Sequence, residues 1–144
     1  LLLDDSSPMA LGIDRTLPES AAKLQAALEA AWPRLRGRVA LHCEELDAVV
    51  LTADDLVVSV HACGGLTDRV IALAVAARAR LAVLPCCHDL ARGDGGALRG
   101  WLDGPVAMDV ARATKLQAAG YRVVTQLIPA EITPKNRLLL AEPG

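Results

Sequence analysis

The sequence predicts an α/β fold: a three-layer sandwich on a mostly parallel sheet that ends in a C-terminal antiparallel hairpin. Three observations lead there. The runs that open VVSVHACGGLTD (57–68) and LAVLPCCHDL (81–90) are apolar and rich in β-branched residues, and each stops abruptly at a cluster of His, Cys or Gly. An apolar run without alternation reads as a strand buried on both faces, hence as part of a parallel sheet. Segments of helical periodicity separate most of the runs, which gives the order β-α-β-β-α-β-α-β-β and the layered class. The last two runs are joined only by PAEITPKN (129–136), too short for a crossover helix, so they are expected to pair antiparallel.

Taken in order, MALGID (9–14) reads as the first strand and ends in an acid. TLPE (16–19) has the pattern of a capping box, with Thr16 as N-cap and Glu19 three residues on. Ala21, Leu24, Leu28 and Ala31 recur at helical spacing, and Pro33 stops that helix. RVALH (38–42) is the second strand and DLVVSV (55–60) the third. Thr67 is expected to cap a helix to about Arg78, with Val70, Ile71, Ala74 and Val75 as its buried stripe. LAVLP (81–85) is the fourth strand. Residues 89–105, rich in glycine, form the one long loop, of a length often found in lids and binding segments. A helix at about 106–119 closes at Gly120. YRVVTQLI (121–128) and RLLLA (137–141) are the final strands. With no repeat and no linker, residues 1–144 read as a single domain, and the opening Leu in place of Met reads as the start of a fragment.

Composition narrows the function classes. Hydrophobic residues make up 53% and charged residues 22%, which argues a packed core and against disorder. No apolar stretch approaches the ~18 residues of a membrane span, and the opening LLLDDSSP lacks the basic flank of a signal peptide. A net charge of −2 gives no bulk attraction to nucleic acid, and the three aromatic residues, Trp32, Trp101 and Tyr121, are too few for a base-stacking platform. The four cysteines include an adjacent pair and no CxxC, so they read as reduced thiols of a cytoplasmic protein.

In an open parallel sheet, ligands bind outside the carboxyl ends of the strands. Those ends carry Asp14, then Cys43 and Glu44, then His61, Cys63, Gly64 and Gly65, then Cys86, Cys87 and His88. Consecutive glycines allow close backbone approach to a ligand. His61 can orient a substrate or act as a base near neutral pH. The plainer alternatives are solvated strand-end acids, a histidine bonded to a carbonyl, and cysteines that simply pack.

Val58, His61, Ala62, Cys63, Gly64, Thr67 and Asp68, then Pro85, Cys86 and Cys87, then Gly120 and Tyr121, then Thr133, Pro134, Lys135 and Asn136 form an ordered signature. With this signature the chain resembles class I S-adenosylmethionine (SAM) methyltransferases, which have a Rossmann-like fold. More narrowly it resembles the methyltransferase-like domain of the glutathione S-transferase C-terminal domain-containing protein and its bacterial relatives. A tRNA methyltransferase family with HLCG and CCHH patterns is a looser match. The resemblance implies SAM as cofactor, with Asp14 on the ribose hydroxyls, Glu44 near the adenine amino group, a role for which Glu45 and Asp47 compete, and His61, Cys63 and Gly64 beside the cofactor. It further implies His61, Cys87 and His88 as catalytic candidates, and Cys86, Lys135 and Asn136 on the substrate. One departure stands out: the glycine-rich loop that cradles SAM after the first family strand is not found. LLL then reads as the tail of the helix after that loop. Either the first strand and its loop lie upstream, or ordinary cofactor binding is lost.

Three function classes follow. The first is a SAM-dependent methyltransferase, whose acceptor, an RNA or a small molecule, the sequence does not choose. The D/N-P-P-Y/F motif of enzymes that methylate amide or base nitrogens is missing. The second is a non-catalytic methyltransferase-like module. The third is a thiol or zinc-binding protein. No metal is expected: successive residues of a regular strand point to opposite faces, so Cys86 and Cys87 could share an ion only if the strand breaks there, and no CxxC or HxxxH spacing supports one. His61, Cys63 and Cys87 are instead expected to border one cleft.

Overall fold

The structure is a computed structural model that describes residues 9–91 and 95–144. The LLL segment lies outside the described residues, as does part of the glycine-rich loop. The elements are β1 (Ala10–Asp14), α1 (Glu19–Ala31), β2 (Val39–Cys43), β3 (Leu56–Val60), α2 (Gly65–Ala77), β4 (Arg80–Leu84), α3 (Gly104–Ala118), β5 (Tyr121–Leu127) and β6 (Arg137–Pro143), with short 3-10 turns between some of them. Their order is the one that the sequence predicts. This is an α/β architecture in which parallel strands alternate with helices and an antiparallel hairpin closes the chain. Two compact units divide at residues 50 and 51.

The first unit is a β-α-β element. β1 and β2 pair in parallel from Ala10↔Val39 to Asp14↔Cys43. α1 starts at Glu19, with Pro18 as its N-cap and no side-chain cap. The capping box is therefore not formed: Thr16 lies ahead of the helix, and its backbone N–H bonds the Asp14 carboxylate at 3.1 Å. The reason is Pro18, whose fixed φ and missing donor suit the residue at a helix entrance. The apolar positions at helical spacing form the helix but are not buried, since α1 buries no residue and Leu24 is 61% exposed. Two strands offer too little sheet to cover a helical face. Leu35, in the 3-10 turn that follows α1, is the buried apolar residue of this unit among the described residues.

The second unit holds the sheet β3-β4-β6-β5. β3 and β4 are parallel, β4 and β6 antiparallel, and β5 and β6 form the hairpin, so the last strand inserts beside β4. Its core gathers Leu81 and Val83 of β4, Val70, Ile71 and Ala74 of α2, and Met108 and Leu116 of α3. The Tyr121 hydroxyl lies 3.0 Å from the Ala74 carbonyl and 3.1 Å from that of Ala79, tying the start of β5 to the end of α2. Burial raises that hydroxyl above its ordinary pKa. Gly120, at φ 80°, makes the left-handed turn out of α3.

Two expectations for this unit change. β3 is not buried on both faces: it is an edge strand of the described sheet, and Leu56, Val58 and Val60 are each more than half exposed. Thr67 does not cap α2. The helix begins at Gly65 with Gly64 as N-cap, and Thr67, inside its first turn and buried, donates its hydroxyl to the Ala62 carbonyl. A left-handed glycine (Gly64 φ 59°) turns the chain into the helix earlier than a threonine cap would.

Candidate functional site

The acids of the first unit lie at the carboxyl ends of two adjacent parallel strands. Asp14 ends β1 and Glu44 follows β2. The Glu44 N–H bonds the Asp14 carbonyl at 3.0 Å, which extends the strand pairing by one step. Asp14 is exposed, with Oδ1 held by the Thr16 N–H, and Oδ2 has no partner among the described residues. That orientation suits a carboxylate that accepts hydroxyl donors from a ligand. Cys43 uses its thiol on the Arg15 carbonyl, 3.1 Å away.

In the second unit the ends of β3 and β4 meet. Gly64 N–H donates to the Cys87 carbonyl at 3.0 Å, fastening the two turns. His61, exposed, sits in the left-handed region at φ 63°. A non-glycine residue there is uncommon, though histidine is among the more frequent, and such strain clusters at functional sites. β4 ends at Leu84, so Cys86 and Cys87 are not on a strand and strand alternation does not separate them. Cys86 is buried, whereas Cys63 and Cys87 are exposed. The Cys63 and Cys86 sulfurs are 3.5 Å apart and those of Cys86 and Cys87 3.7 Å. The mutual hydrogen bonds split the outer two thiols: the Cys87 bond raises Cys63 to about 11, and the Cys63 bond lowers Cys87, helped by the Lys135 charge.

His88 has another setting. Its side chain is 4% exposed, and Nε2 lies 2.8 Å from Asp109 Oδ1. Asp109 also takes Arg112 Nη1 at 3.1 Å and Arg137 Nε at 2.7 Å. Arg112 in turn grips Asp68 through two bonds of 2.8 and 2.9 Å. Asp68 and Asp109 together hold the Arg112 pKa up against the opposing effect of burial. This network ties the PCCH turn to α2, α3 and β6. Sequence spacing offers only the local Asp109–Arg112 pair; Asp68 stands in the signature, but nothing local marks its bond to Arg112.

The expected substrate residues divide. Lys135 is exposed in the final hairpin, close enough for its charge to act on Cys87. Asn136 uses its side-chain amide on the Ile128 carbonyl at 2.9 Å and closes the hairpin. Cys86 is buried under the turn. A groove of about 530 Å3 runs between α2 and α3 rather than over the thiols, and Gly64, Gly65 and Asp89 border it.

A family model described as a methyltransferase domain matches residues 5–93, a span that takes in β1 through the PCCH turn. No curated protein and no solved structure matches the chain. Its parallel strands with polar residues at their carboxyl ends and its antiparallel closing hairpin fit that match, which covers more than half of the sequence: the chain belongs to the methyltransferase-domain family.

Proposed function

We propose that this chain carries the cofactor-facing acids and the acceptor-side turns of a SAM-dependent methyltransferase. The observation that carries the reading is Asp14, exposed at the carboxyl end of a parallel β-α-β unit with one carboxylate oxygen unengaged, in a chain of a methyltransferase family. Asp14 accepts the ribose hydroxyls, and Glu44, one strand over, accepts the adenine amino group. When bound, SAM supplies a methyl group already activated on a sulfonium, so the protein's task is mainly proximity and orientation. The second unit carries the acceptor-side groups: His61 takes the acceptor's proton, and Lys135, whose charge acts on Cys87, favours an anionic acceptor. His88 acts as a positioning residue, because its ring is buried and bound to Asp109. Within the family, the HACG, PCC and TPKN motifs favour the group typified by the glutathione S-transferase C-terminal domain-containing protein.

Calorimetry with SAM tests this on residues 1–144 and on a form extended upstream by a strand and a glycine-rich loop of the methyltransferase type. Residues 1–144 have no glycine-rich loop before Asp14, so they are expected to bind weakly or not at all, and the extended form to bind. In the binding form, Asp14→Ala is expected to weaken SAM by about 1–3 kcal/mol, the scale of a lost hydrogen bond to a charged group. Absence of binding in both forms overturns the cofactor and favours a non-catalytic module. Tight binding by residues 1–144 alone overturns the need for the loop.

A further inference from the structure

We propose that Cys63, Cys86 and Cys87 form a binding site for one thiophilic divalent metal ion of the zinc type, with a fourth coordination position left open. The three sulfurs all lie within 4.8 Å of one another. Two thiolates bound tetrahedrally to a common zinc at about 2.3 Å stand about 3.8 Å apart. The observed spacings of 3.5 and 3.7 Å about Cys86 are close to that figure before any ion enters.

Two features of the fold produce the cluster. β4 stops at Leu84, which frees Cys86 and Cys87 from the opposite-face rule that made a shared ion implausible from the sequence. The bond from Gly64 N–H to the Cys87 carbonyl holds the β3 turn, and Cys63 with it, against the β4 turn. Packing does not account for the arrangement, because two of the three thiols are exposed. Cysteines gathered to fill a core would be covered.

The donor set also indicates the ion. Thiolate sulfur selects soft or borderline metals over magnesium and calcium. Three protein ligands with a fourth position open is the arrangement of reactive rather than structural zinc sites. Binding releases the thiol protons to solvent. A divalent ion with three thiolates carries one negative charge, and the Lys135 charge acts at this point. The open position takes water or a donor atom of a bound molecule. This inference does not depend on SAM binding, since all three ligands belong to the second unit.

The test is a cobalt(II) titration of the whole chain, kept reduced and stripped of metal, followed by displacement with zinc(II). The expected result is one saturable site with sulfur-to-cobalt charge-transfer absorption, which zinc abolishes. Cys63→Ser and Cys87→Ser, both at exposed positions, are expected to weaken cobalt at least about tenfold, whereas Cys43→Ser leaves it unchanged. Circular dichroism and melting of each variant separate loss of a ligand from loss of fold. Should Cys86→Ala fail to fold, the two exposed variants still decide. No saturable binding, or equal loss in Cys43→Ser and Cys63→Ser, overturns the proposal.

Discussion

The two units of this chain start from similar sequence patterns and end with different interiors. Both contain a parallel pair of strands and an amphipathic helix. In residues 51–144, α2 and α3 bury side chains completely, with Ala74 and Leu116 at 0% exposure. In residues 9–50, α1 buries none. The difference lies in the surface offered to the helix. A four-stranded sheet supplies a face; a two-stranded one does not. Periodicity thus predicts where a helix forms and which side would be apolar, while burial depends on how much sheet stands opposite.

Truncating one leucine in each unit sets the comparison at its widest. Leu116→Ala, at a fully buried position, is expected to cost about 2–5 kcal/mol. Leu24→Ala in α1 should change stability by less than about 0.5 kcal/mol, as surface substitutions do. Chemical denaturation of both variants checks this. A loss at Leu24 comparable to that at Leu116 would mean that α1 is covered in solution.

The two threonines that resemble caps give a smaller contrast. Thr67→Val keeps the shape but leaves the buried Ala62 carbonyl without its donor, for about 1–2 kcal/mol. Thr16→Ala keeps the backbone N–H that bonds Asp14, and should be neutral within about 0.5 kcal/mol. Thermal melts that rank the two in the reverse order would restore the capping box and place Thr67 outside the core.

The smallest effect is pH-dependent and belongs wholly to the second unit, which holds the chain's single tyrosine. Tyr121→Phe is expected to cost about 1 kcal/mol at neutral pH. Since burial raises the hydroxyl pKa, the tyrosine's contribution is whole below about pH 10, the unfolded value, and is lost as pH rises through the raised folded value. The penalty of the phenylalanine variant should therefore shrink in alkaline denaturation series. A penalty that stays constant to high pH would place the hydroxyl in contact with water.

The strand and helix order was legible because apolar runs, glycine stops and prolines are local signals. Asp14 and Glu44 were legible as strand-end acids for the same reason. Helix entrances were less so: Pro18 and Gly64 began α1 and α2 in place of the threonines, because backbone restriction or freedom outweighed a hydroxyl acceptor. The thiols were legible as neighbours at two strand ends, but not their convergence, which depends on where β4 stops. Alternation separates neighbours only while the strand lasts, and β4 ends before the cysteines. The Asp109 network was hidden by distance along the chain, since His88 lies 21 residues away, Arg137 lies 28 away, and Asp68 reaches Arg112 over 44. No window of local pattern spans such gaps.

The shared carboxylate of Asp109 has a consequence for how this sequence can drift. One side chain accepts from His88, Arg112 and Arg137, which arrive from a turn, a helix and a strand. Losing the acid alone would leave the largely buried Arg112 and His88 short of an acceptor, and losing one donor would leave a carboxylate that is 15% exposed less well neutralised. Single exchanges at these positions are therefore expected to cost stability, and concerted changes to cost less. Among descendants of this chain, positions 68, 88, 109, 112 and 137 should vary together or not at all, while Glu131, exposed in the adjoining hairpin, drifts independently of them.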